Sequence, residues 1–290
     1  MLSAPARTSS AAWIVLILRF TLAIHVVAAG LAVFVSGIPA GGDPPAWLPA
    51  HAGSRLYLYA AVLVVGGALT AVGLYTRWAA TAVALALVAA LLEWLAVDHL
   101  HNTMNHLLPL FIECAVIILL CEHGRRWSAD ALRGGEPRGD DVLSTSVVVA
   151  LARVFLGAIF IAQGWTDLVE VGAVDFARDV YVSPLAGSWV PAPLLWTAGV
   201  LNPPIQIVTG VLLAAGLFTR PAAIAIGLFL IQILFGHVLN DAFDRGPDVH
   251  SYALGNLTLA LLVIALAPRG NRFSADALRR RWSGRLGHAI

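Results

Sequence analysis

Apolar residues run through this chain in long blocks separated by short polar groups, and the block lengths set the predicted elements. A hydrocarbon core of ~30 Å is crossed by about 20 mostly apolar residues. The blocks therefore predict eight membrane-spanning helices, near 12–36, 56–74, 77–97, 105–121, 147–167, 195–218, 220–240 and 250–267. The first block follows Arg7 but is longer than the apolar region of a signal peptide, so it is read as a retained span.

Composition agrees with the pattern. Of 290 residues, 59% are hydrophobic and only 12% charged, against about 25% charged in soluble domains, and the mean hydropathy is +0.82. A soluble fold is excluded. The chain has no lysine, so arginine alone reports orientation. With the N-terminus in the cytoplasm, thirteen arginines fall on inner segments and three (Arg55, Arg178, Arg245) on outer loops, as the positive-inside rule requires. The expected location is the cell (inner) membrane, multi-pass, with both termini cytoplasmic. The basic residues sit where topology needs them, so no nucleic-acid partner is implied. Cys114 and Cys121 lie on one span with no CxxC motif, which gives no thiol redox site.

The chain repeats itself. "GRRWSADALRGG" (124–135) returns as "GNRFSADALRRR" (270–281), with eight of twelve positions identical. "LRFTLAIHVVAAGL" (18–31) aligns with "ARVFLGAIFIAQGW" (152–165), pairing Arg19 with Arg153, and "GLYTRWAATA" (73–82) aligns with "GLFTRPAAIA" (216–225). Asp98 falls opposite Asp241 and His106 opposite His250. The expected fold is an all-α integral membrane protein, its eight transmembrane helices arranged as two parallel four-helix repeats. Residues 1–134 form the first unit, 135–146 a cytoplasmic linker, and 147–290 the second unit with a basic tail. In the repeated turn, Gly216 ends one helix and Thr219 is expected to cap the next. The "RWSADALR" phrase reads as a Ser-capped amphipathic stop on the inner membrane surface.

Ionisable groups inside a membrane are functional candidates by default. Arg19, Arg153, His25, Gln163 and Gln206 are the candidates for contact with a quinone. His106 and Glu113 fall near one stripe of the fourth span and suit a proton relay, and His237, Asp241 and His250 join them as candidate catalytic groups. The outer ends of the spans gather His99, His101, His237, Asp241 and His250, where imidazole and carboxylate together suit a metal. No HExxH or paired-haem spacing accompanies them, so a metal or haem ranks below a quinone.

The early Arg19 and Arg153, the glycines Gly30 and Gly164, and the "G-L-F-T-R-x-A-A" turn resemble the DoxX family of bacterial membrane proteins, 147–267 being the better match. "HNTMNHLLPL", "RRWSADAL" and "HSYALG" resemble the related HTTM and vitamin K-dependent carboxylase membrane regions. The DoxX resemblance implies a membrane bundle tied to quinone-dependent oxidation or to oxidative-stress complexes. Where that family has a lysine after the first-helix glycine, this chain has Asp167 or Phe34, and a family glutamate corresponds to Gln206. The carboxylase Asp-Lys pair corresponds to Asp244-Arg245 or to the Asp98-His99 region, and arginine is a poor proton-abstracting base.

Three functions follow from these readings. The first is a quinone-interacting or membrane-anchoring subunit of a redox system, with membrane lipids and a redox protein as partners. The second is a non-enzymatic transporter of small molecules or lipids, or a membrane scaffold, with Asn202-Pro203-Pro204, Gln206 and Gln232 on its path. The third is a metal- or proton-dependent enzyme at the outer face.

Overall fold

The computed structural model describes residues 10–36, 55–95, 100–121, 128–133, 142–239 and 247–286. Among them all regular structure is helical. The long helices are α1 (Ser10–Ser36), α2 (Arg55–Val72), α3 (Thr76–Leu95), α4 (Leu100–Leu120), α5 (Val142–Trp165), α7 (Ala192–Ala215), α8 (Thr219–Leu239) and α9 (Pro247–Gly270). A one-turn α6 (Ala173–Phe176) and the terminal α10 (Ala275–Leu286) complete the set.

Six of the described helical stretches are long and apolar enough to cross a membrane: Ala12–Val35, Arg55–Val72, Thr76–Glu93, Leu143–Glu170, Ala192–Ala215 and Thr219–Gly236. Among the described residues α4 and α9 contribute the shorter apolar stretches Pro109–Leu120 and Ala253–Pro268. The turns of α4 before Pro109 carry His101, Asn102, Asn105 and His106, and those of α9 before Ala253 carry Asp248 and His250.

The helices fall into two compact units, Met1–Val148 with Pro247–Thr258, and Val149–Gly246 with Leu259–Ile290. These units and the sequence repeat divide the chain differently at α9. In the first unit α1 packs on α2, α2 on α3, α3 on α4, and α4 returns to α1, closing a four-helix ring. Its interior is filled by Val15, Leu18, Leu22, Leu56, Leu63, Leu87, Leu110 and Ile117. Leu58, Val65, Leu85 and Leu92 point outward. Such a surface has no place in water and suits lipid.

In the second unit α5 and α7 touch through small residues. A Cβ on Gly157 would lie 2.6 Å from the Gly210 carbonyl oxygen, and one on Gly210 would lie 2.7 Å from that of Gly157. Backbones meet there, as small residues permit between membrane helices. The segment after α5, expected as an outer loop, is helical and widened. Val171 N–H bonds Thr166 O at 3.0 Å and Ser183 N–H bonds Arg178 O at 2.8 Å, both five residues apart. These two wide turns, Thr166–Glu170 and Ala177–Val182, flank α6.

Candidate functional site

Two sets of buried polar residues were assembled by the fold. The first explains the repeated phrases. In the first unit Arg19, 1% exposed, donates from Nε to Thr70 O at 2.8 Å and from Nη2 to Ala71 O at 2.7 Å, at the end of α2. The chain then turns through Gly73 and Tyr75, both left-handed at φ 71° and 50°. The Tyr75 N–H donates to Asp130 Oδ1 at 2.8 Å, and the Thr76 N–H and hydroxyl donate to Oδ2 at 3.0 Å. Asp130 N–H bonds Gly73 O at 2.9 Å.

The second unit repeats this arrangement with its own residues. Gly216 and Phe218 turn at φ 71° and 48°. Phe218 N–H donates to Asp276 Oδ1, and the Thr219 N–H and hydroxyl donate to Oδ2, each at 3.2 Å. Asp276 N–H bonds Gly216 O at 3.0 Å. Arg153, 3% exposed, donates to Asn271 Oδ1 at 3.2 Å and to Phe273 O.

The aspartates therefore cap α3 and α8 from a distance. A carboxylate on the open N–H groups of a helix start is favoured by hydrogen bonding and by the helix dipole. Thr219, expected as the cap of its own helix, instead donates to Asp276 and accepts from Asn271 Nδ2 at 2.9 Å. Ser274 caps as expected, accepting from Ala277 N–H at 3.1 Å.

The second set lies wholly within the second unit. Asp167, on the first wide turn, accepts from Gln206 Nε2 at 3.4 Å. Gln206 Nε2 also donates to Asn202 Oδ1 at 2.5 Å, one turn earlier on α7. Asn202 Nδ2 donates to the Tyr181 hydroxyl, and Gln232 Nε2 on α8 donates to that hydroxyl at 3.3 Å. Asp167, Tyr181, Asn202 and Gln206 are buried, while Gln232 is exposed. The result is a line of polar groups leading from a buried carboxyl to the surface of α8.

Both wide turns contribute one member, Asp167 and Tyr181. An extra residue in a helical turn rotates the following side chains, and such turns gather at functional positions. Residues 148–237 match the DoxX family. No curated protein and no solved structure matches the chain. The DoxX segment holds Asp167, Tyr181, Asn202, Gln206 and Gln232 together, along with Arg153 and the Gly216 turn. The Asp276 carboxylate that closes that turn lies beyond it. The DoxX match and the six apolar helices make the chain a multi-pass membrane protein.

Other residues singled out in the sequence lie as follows. His25 is buried on α1, Glu113 is buried on α4, and Gln163 is half-buried on α5 in the DoxX segment. His101, His106, His237 and His250 lie on helices, but their side chains are outside the described residues, as are His99 and Asp241 altogether. The outer His and Asp cluster is therefore outside what the structure describes. Among the described residues no three His, Cys, Asp or Glu side chains are grouped to hold a metal. Glu93 pairs with Arg55 at 2.7 Å and accepts from the Tyr59 hydroxyl at 3.2 Å, joining α2 to α3.

Tyr181 was not legible as a site residue, because it stands in a segment whose sequence reads as a loop. Burial pushes its phenol above the usual tyrosine value, the hydrogen bond from Asn202 opposing the rise and the Asp167 charge adding to it. The raised value means that the neutral phenol stabilises the fold. That contribution is complete below the ordinary value of about 10 and is lost as pH rises through the folded one. Melting curves between about pH 8 and about pH 11 should show an alkaline decline that Tyr181→Phe flattens. An equal decline in both proteins would remove Tyr181 as its cause.

Proposed function

We propose that the chain is a membrane-anchoring, quinone-docking subunit of a redox system, and that the Asp167–Gln206–Asn202–Tyr181–Gln232 line receives the quinone head group. The observation that carries this reading is the line itself, a set of mostly neutral hydrogen-bonding groups inside an apolar helical unit, reaching the surface at Gln232. A quinone carbonyl accepts hydrogen bonds and brings no donor. The amide of Gln232 and the hydroxyl of Tyr181 offer what it needs, and the exposed apolar residues Leu228 and Ile231 beside Gln232 suit an isoprenoid tail. The quinone would supply the electron-carrying chemistry, and electrons would come from a partner protein. This chain's own residues bind the head group, orient it and hold a carboxyl nearby.

The reading includes eight spans in two duplicated units, in the inner membrane with both termini cytoplasmic. Support comes from the two matching turn clasps, which use Arg, Gly, Thr and Asp at corresponding places. It also comes from α10, whose exposed Arg279, Arg280, Leu278 and Trp282 suit a charged membrane surface.

The test is direct. Protein purified in mild detergent should carry quinone in its lipid extract, and a short-chain ubiquinone should raise its melting temperature. Gln232→Leu removes one neutral hydrogen bond at an exposed position, worth about 1 kcal/mol or roughly fivefold in affinity. An extract without quinone, together with a melting temperature indifferent to added quinone, would overturn the reading.

A further inference from the structure

Glu113 lies in the first unit, away from the polar line above. Its side chain is 0% exposed, and neither carboxyl oxygen has a hydrogen-bond partner among the described residues. A buried, unpaired carboxylate costs several kcal/mol, so such groups survive in membrane helices only where something else satisfies them. The fold shows where that would be. Glu113 Oε1 faces Gly255 of α9: a methyl placed on that glycine would sit 3.4 Å from the oxygen and 3.5 Å from Pro109 Cβ, with nothing closer.

Pro109 stands one turn before Glu113 inside α4. Proline has no N–H, so the carbonyl of residue 105 loses its helical donor. Acceptors therefore collect on this stretch of α4 without donors to match. The remaining neighbours in sequence, Leu110, Ile112, Cys114, Val116 and Ile117, are buried and offer no cation.

Charged and titratable groups are present on the elements packed with α4. They are Arg19 and His25 on α1, Arg77 and Glu93 on α3, and Asp248, His250 and Tyr252 on the part of α9 that belongs to this unit; α4 itself carries His101, His106 and Cys114. Among the described side chains none bonds Glu113, and Arg19 and Glu93 have partners on α2.

We propose that Glu113, facing Gly255, takes up and releases a proton inside the first unit. The glycine leaves room of about one methyl group beside the carboxyl, and the apolar surroundings keep other ions out. The site is independent of the quinone-docking reading and stands or falls separately from it.

The experiment uses the full-length protein in mild detergent and N,N′-dicyclohexylcarbodiimide, an apolar reagent that reaches carboxyls within membrane helices. The carboxyl O–H adds across one C=N bond, and the acyl group then shifts to nitrogen to leave a stable acylurea, with no leaving group and no redox change. Mass mapping should find the adduct on Glu113 and none on the Arg55-paired Glu93. Labelling should be faster near pH 6 than near pH 9, because only the protonated carboxyl adds to the reagent. Gly255→Val should slow labelling while leaving Glu113 in place. Failure to label Glu113 near pH 6, or labelling indifferent to pH, would overturn the proposal.

Discussion

Gly216→Ala is expected to lower the melting temperature of the detergent-solubilised protein more than any other single methyl added to a glycine of the second unit. Two costs add. The backbone at Gly216 has φ 71°, a conformation that disfavours a Cβ by about 1–2 kcal/mol. The new methyl would also lie 2.7 Å from Arg153 Cζ and 2.5 Å from Ser274 Cβ. Neither can yield cheaply. Arg153 is buried and held by Asn271 and Phe273, and hydrogen bonds of a charged donor are worth about 1.5–3 kcal/mol each.

Displacing it would spend much of the roughly 5–15 kcal/mol that holds a domain together. Gly187→Ala supplies the control, since that glycine has φ 89° and nothing within 4 Å of the added methyl. It keeps the backbone cost and omits the collision. Differential melting of the two variants should therefore separate them by at least about 2 kcal/mol. Equal losses would show that the buried arginine contributes nothing beyond turn geometry. Gly73→Ala should repeat the result in the first unit, where the methyl would lie 2.6 Å from Arg19 Cζ.

This clasp shows how far the sequence can be read. Block length was enough for the helical class, because apolar blocks of span length have few other uses. The repeated "GLFTR" and "SADAL" phrases were visible too, and each was assigned a plausible local role in turn or cap. Their joint role was not legible. Asp276 lies 57 residues from Thr219, and only the return of α9 to the start of α8 brings the carboxylate onto those N–H groups. A phrase repeated beside another repeated phrase was the available signal that they meet.

Gln206 was legible as a polar residue in an apolar span, and Asp167 as a departure from a family lysine. That they touch was not, since their contact depends on a widened turn at Thr166–Glu170 that leaves no clear mark in the sequence.

Asn202→Leu is the second large expected effect, because Asn202 is the central member of the polar line. Its amide joins Gln206 on one side to Tyr181 on the other. Leucine has a similar volume but can bond neither, and it leaves a buried amide and a buried hydroxyl each short of a partner. Gln206 keeps Asp167 and the Tyr181 hydroxyl keeps Gln232, so two hydrogen bonds are lost at about 0.5–1.5 kcal/mol each, about 1–3 kcal/mol in all. Gln206→Met alone should cost less, because Asn202 retains Tyr181 and Asp167 is the more weakly bound end at 3.4 Å.

In the double variant the second change should add little. Once Asn202 is gone, Gln206 has already lost its shorter bond, so the cycle should give a coupling of about 0.5–1.5 kcal/mol. Additive losses would mean that the groups are independent packers rather than a connected line. A ligand readout separates structure from function. If the line receives a quinone head group, Asn202→Leu should abolish quinone-dependent stabilisation even at temperatures where the variant remains folded, because Tyr181 loses the amide that fixes its hydroxyl. Retained stabilisation with a lowered melting temperature would assign Asn202 to packing and move quinone recognition to Gln232 alone.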